Sequence, residues 1–282
     1  MNNVTSVPSR SLAGAYYDWA WQMAGEDEYT MVVWGNVIIG VGYYIFINSF
    51  FTLLDFVDPA WVQPYRIQED ESKKVTFTRW RKALFIISFN LSVVTWLMSH
   101  IFYLCGRYTL SPEMPPLYLI VPQIAFCVLV EETGFYYSHR LFHHRSIYKH
   151  FHKIHHEWTV PVSITSVYAH PVEHIIANLL PAMLGPMILN CHIMTTWTWW
   201  CFAFTTTTIS HSGYHLPFLF SAEAHDYHHL TFNECFGVLG FLDTFHGTNK
   251  TFRSLANYDR HIQSFSLKPI KEIYPDKPKK QD

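Results

Sequence analysis

Charge is what this sequence is short of. Only 15% of its 282 residues are Asp, Glu, Lys or Arg, and they are unevenly spread. None falls in residues 29–54 or 83–106, between Met114 and Val130, or between Ile175 and Ala222. A bilayer core needs roughly 20 mostly apolar residues per helix. The first two gaps therefore predict one membrane span each, and the third a short one. The fourth predicts a membrane hairpin over 175–210, with Pro181, Gly185 and Pro186 in its first arm and a turn at Asn190–His192. The expected fold class is all-α, a multi-span helical membrane protein.

Other absences narrow the function. A net charge of −2 leaves no basic footprint for nucleic acid. The five cysteines form no CxxC pair, which excludes thiolate metal ribbons and dithiol redox motifs and leaves them as small hydrophobes. The first apolar run begins near Tyr29, too far in for a cleavable signal peptide, so it reads as a signal anchor. Orientation follows from the basic residues. Lys73, Lys74, Arg79, Arg81 and Lys82 follow the first span and place that loop in the cytosol. The chain then returns to the cytosol near Glu131, where Arg140, Arg145, Lys149 and Lys153 lie. The sequon at Asn3 falls on the far side, and that at Asn249 on the cytosolic side.

What is abundant is histidine, at 18 residues. Four groups keep helical spacing: His139 with His143 or His144, then His152, His155 and His156, then His211 and His215, then His225, His228 and His229. Residues three and four apart share a helix face, so each group should present its imidazoles together on the expected cytosolic side. His144, five on from His139, joins only if the helix ends there. Neighbouring imidazoles gain nothing from packing and repel when protonated, so the groups point to metal. Four ligands satisfy one tetrahedral ion, so about ten suit two ions. His100 and His192, in apolar surroundings, read as core residues and His261 as a solvated tail residue; Glu131 and Glu132 mark a membrane border, unless Glu132 shares a helix face with His139 two turns on. Zinc transport is the competing class, but transporters place acidic partners inside their spans and these gaps hold none. The HExxH signature of zinc hydrolases is also missing.

The ordered words HRLFHH, HKIHHEW, YAHPVEH, HSGYH and HDYHH, over residues 118–250, resemble the fatty acid hydroxylase/sterol desaturase superfamily. YAHPVEH, ISHSGYHLPF and FGVLGFLDTFHGT are similar to its C-4 methylsterol oxidase-like branch. The resemblance implies two iron ions, with zinc a possible occupant in purified samples, held by His139, His143 or His144, His152, His155, His156, His211, His215, His225, His228 and His229. His170 and Glu173 would orient those ligands, unless they cap a helix. It implies O2-dependent hydroxylation of a membrane sterol, most directly at a C-4 methyl group. Fatty acyl or sphingolipid hydroxylation and sterol desaturation are the alternatives. The chain carries no flavin or nicotinamide fingerprint and no HPGG haem motif. Electrons are thus expected from NAD(P)H through a separate cytochrome b5 and its reductase. An endoplasmic reticulum membrane location is implied, in keeping with the dilysine-like Lys279-Lys280 ending. The organisation expected is 1–117 with two spans, 118–250 as the hydroxylase domain whose cytosolic helical cap holds the dinuclear site, and 251–282 as a cytosolic tail.

Overall fold

A computed structural model describes residues 11–69 and 77–276. Asn3, Lys73, Lys74 and Lys279-Lys280 lie outside the described residues. The structure is helical, with no strand among the described residues. A first helix, α1 (Leu12–Met23), precedes four helices long and apolar enough to cross a membrane: α2 (Thr30–Val57), α3 (Phe77–Cys105), α4 (Leu117–Phe142) and α5 (Pro171–Leu189). Their outward faces carry Ile38, Phe46, Phe85 and Tyr118, all strongly exposed, as lipid contact requires. The protein is thus a multi-pass helical membrane protein.

The stretch expected to form a membrane hairpin is two helices joined by a turn, the first of which is among the four long and apolar enough to cross a membrane. α5 ends at Leu189, Asn190 turns the chain in the left-handed region (φ 51°), and His192 caps α6 (Ile193–Ser210) by accepting from the Met194 N–H. His192 Nε2 also bonds Ser111 O at 2.9 Å, so it is a satisfied buried histidine.

Within lipid, helices associate through small residues and polar contacts rather than hydrophobic expulsion. α4 and α5 follow this rule. A Cβ on Gly134 would sit 2.8 Å from Pro181 Cβ, and one on Gly185 would sit 2.8 Å from Cys127 Cα. α2 and α6 are joined by Trp197 Nε1 to Asn36 Oδ1 at 2.9 Å and by Asn48 Nδ2 to Thr208 Oγ1 at 3.2 Å.

Of the two readings of the Glu131–Glu132 pair, the membrane border fails and the continuous helix holds. The third span does not stop at the Glu131–Glu132 pair but continues as one helix to Phe142. Glu132 is fully buried rather than marking a border, because it accepts the backbone N–H groups of Val238 and Leu239 at 2.6 and 2.7 Å. The extra turns carry His139 and deliver it to the histidine region.

Candidate metal centre

The histidines arrive on four pieces of chain. His139 and His143 come from the last turn of α4 and its cap. His152, His155 and His156 come from a run of turns closing in a 3₁₀ segment, His155–Glu157, and not from the helix their spacing predicts. His211 caps the end of α6. His225, His228 and His229 do lie on a helix, α7 (Glu223–Thr231).

These nine form two groups. His139, His143, His152, His156 and His228 make one; His155, His211, His225 and His229 make the other. Within each, the candidate ligand atoms all lie within 4.8 Å of one another. The two HxxHH pentapeptides divide in opposite senses. The first gives its outer pair, His152 and His156, to the first group and His155 to the second. HDYHH gives His225 and His229 to the second group and His228 to the first.

The outer edge of each ring explains why the inner edges converge. His139 Nδ1 bonds Phe236 O at 2.8 Å, His228 Nδ1 bonds Glu234 O at 2.8 Å, and His229 Nδ1 bonds Trp158 O at 3.0 Å. His155 Nδ1 bonds Tyr168 O at 3.1 Å and His211 Nδ1 bonds Thr207 O at 2.8 Å. His152 Nδ1 meets Glu173 Oε1 at 2.7 Å. A carbonyl or carboxylate oxygen only accepts, so Nδ1 carries the proton and Nε2 keeps a lone pair.

Those lone pairs then face each other. His155 and His211, both held through Nδ1, have their Nε2 atoms 3.3 Å apart. Two acceptors cannot bond each other, whereas a cation between them satisfies both. Burial keeps the rings neutral, lowering His155 to about 4 and His211 to about 3. The donor set fits a metal ion in each group, and its imidazoles suit zinc, copper, iron or nickel.

The same burial sets a pH dependence. Metal-free folded protein holds these rings unprotonated where the unfolded chain, near the ordinary 6.5, binds protons. Stability should therefore fall as pH drops from 6.5 towards 4, by roughly 1.4 kcal/mol per pH unit for each such histidine. A melting temperature of stripped protein that is flat between pH 7.5 and 5 would contradict this.

Two of the named histidines lie outside both groups. His144 is exposed and caps the short helix Arg145–Tyr148 by accepting from the Ser146 N–H, so His143 takes the place in the first group. His215 is buried but separate, its Nδ1 3.6 Å from Glu223 Oε1. The four-residue spacing misleads there because α6 ends at Ser210. Gly213 (φ +73°) turns the chain, and Tyr214 pairs with Arg66 in an isolated antiparallel bridge. Of the two groups in YAHPVEH, Glu173 is the one that touches a group histidine, while His170 caps a helix by accepting from the Val172 N–H.

Sequence reasoning missed the loop behind the first group. Asp243 accepts from the N–H groups of Phe236 and Gly237 at 2.8 and 2.7 Å, and Glu132 holds Val238 and Leu239. This loop supplies the carbonyls of Glu234 and Phe236 that orient His228 and His139. A cavity of about 370 Å³ opens beside His211 and His225, walled by Phe135, Trp199, Trp200 and Phe204. His261, expected in solvent, is partly buried and lines it, bonding Ser221 Oγ through Nδ1 at 3.1 Å.

Comparison with known proteins agrees with this arrangement. The fatty acid hydroxylase family model matches residues 124–248. Fatty acid hydroxylase domain-containing protein 2 of Macaca fascicularis is 42% identical, over 84% of this chain and 73% of its own length. Fatty acid hydroxylase ahd1 of Mycosarcoma maydis is 34% identical, over 86% of this chain and 63% of its own. Methylsterol monooxygenase 1 of Rattus norvegicus is 28% identical, over 87% of this chain and 84% of its own. No solved structure matches the chain. With two buried histidine groups at the end of a bundle of apolar helices, and relatives aligned along most of its length, this chain belongs to the fatty acid hydroxylase family of membrane oxidoreductases.

Proposed function

We propose that the chain is a di-iron monooxygenase that hydroxylates an unactivated C–H bond of a sterol, with a C-4 methyl group as the target. The observation that carries the reading is the cavity. Its volume of about 370 Å³ falls in the range of roughly 300–1,000 Å³ usual for small-molecule sites, and it adjoins the second histidine group. Flat aromatic walls from Trp199, Trp200 and Phe204 suit a fused-ring substrate. The ligands on this reading are His139, His143, His152, His156 and His228 for one iron, and His155, His211, His225 and His229 for the other.

When bound, the irons supply O2 activation for C–H oxidation. The chain does the rest. Six rings are locked through Nδ1 so that Nε2 needs no reorientation when metal arrives. The apolar walls exclude water and position the substrate against the His211–His225 side. Electrons come from NAD(P)H through cytochrome b5 and its reductase. The protein sits in the endoplasmic reticulum membrane with the histidine region and C-terminus cytosolic, and with 118–250 as the hydroxylase unit between the two-span 1–117 segment and the 251–282 tail. The 28% identity to a methylsterol monooxygenase supports the sterol assignment. A fatty acyl substrate is the second reading, favoured by the 34% identity to a fatty acid hydroxylase.

Expression in cells lacking their own C-4 methylsterol oxidase tests the proposal. Accumulated 4-methylsterols should fall severalfold, and His228→Ala should abolish the rescue. Unchanged sterols from a well-expressed, iron-loaded protein would exclude the sterol reading.

A further inference from the structure

Two buried polar atoms, on residues that line the cavity, are left unanswered by the fold. His174 is 2% exposed and lies on the π turn His174–Leu179 within α5. Asn178, one turn on, donates from Nδ2 to His174 Nδ1 at 3.1 Å. That contact fixes the neutral tautomer with its proton on Nε2. The Nε2–H has no acceptor among the described residues. On α4, which packs against this turn, Glu131 Oε2 is shut from solvent and has no donor among the described residues. Both residues line the same cavity. Native folds leave few such groups unpaired, because each forfeits its hydration without return.

The two atoms are complementary, one a donor and the other an acceptor. We infer that Glu131 and His174 recognise a hydroxyl group on the lipid that enters this cavity. A hydroxyl both donates and accepts, so its chemistry answers an acceptor such as Glu131 Oε2 and a donor such as His174 Nε2. A ketone answers His174 alone, and a hydrocarbon answers neither. The inference rests on the proposal that this cavity takes the substrate, and it narrows the substrate to lipids bearing a hydroxyl. Neither residue belongs to a histidine group, so both act on specificity and position.

Equilibrium binding of tritiated probes to the full chain in phosphatidylcholine nanodiscs tests it. The probes form two pairs differing only by a hydroxyl: cholestanol with cholestane, and hexadecanol with hexadecane. Wild type should prefer a hydroxylated probe by on the order of 100-fold, since a site built to bond a hydroxyl rejects the analogue lacking one. Glu131→Leu and His174→Phe should each cut that preference at least tenfold by weakening the hydroxylated probe alone. Unchanged hydrocarbon affinity reports an intact cavity, and comparison in one lipid cancels partition into the bilayer. Glu131→Gln, which keeps an acceptor oxygen, should retain most of the preference. Equal affinities within each pair, or a preference that survives both substitutions, would overturn the inference. A preference confined to the hexadecanol pair, with neither sterane bound, would sustain hydroxyl recognition and reject the sterol reading.

Discussion

A His155→Ala protein should hold one metal ion per chain instead of two and lose more than about 100-fold in product formation. His155 belongs to the smaller group, where its removal leaves only His211, His225 and His229. Three imidazoles fall short of the four ligands that close a tetrahedral site. The loss extends past one ligand. His155 Nδ1 also ties the 3₁₀ segment to Tyr168 O, so that anchor goes too. Changes to groups that merely orient ligands already cost roughly 10–100-fold in metal affinity or activity, and a ligand itself should cost more. His144→Ala is the matched control, because the exposed His144 touches neither group. It should keep both ions and its activity. Elemental analysis of the purified variants beside a product assay reads both quantities. Two ions and full turnover in His155→Ala would dismantle the second group as drawn.

Glu132→Ala should have the next largest effect, although Glu132 lies among neither set of ligands. It is fully buried and accepts two backbone N–H groups, from Val238 and Leu239. Removing it frees both donors from the acceptor that pins this loop. The loop they hold gives Glu234 O to His228 and Phe236 O to His139, so two rings of the first group lose their rotational lock. Metal affinity should fall by roughly 10–100-fold along with the melting temperature. Gly237→Ala approaches the same failure by crowding, since its Cβ would lie 2.7 Å from Glu132 Oε1 and 2.9 Å from Asp243 Oδ2. Chelator competition separates the possibilities. A lowered melting temperature with unchanged metal affinity would reduce Glu132 to a purely structural residue.

The membrane helices were legible because lipid imposes one rule on every residue of a span, and charge gaps record it directly. The hairpin turn was legible for a similar local reason, since Asn190 and His192 are residues that end and cap helices. The end of α4 was open to two readings, because the groups that satisfy Glu132 lie a hundred residues downstream. The spacing rule served HDYHH, which is helical, and misjudged HKIHH and HSGYH, which are not. Gly213 was the available warning for HSGYH. In HKIHH the inward geometry is made by turns, by the Tyr168 carbonyl on His155 and by the Glu173 carboxylate on His152, and no period in the sequence announces such partners. His174 stood in view in YAHPVEH. Nothing in the sequence placed it among the residues that line a cavity.

The opposed division of the two pentapeptides ties the two groups together. Each HxxHH segment contributes imidazoles to both groups, so displacing either segment disturbs both groups at once.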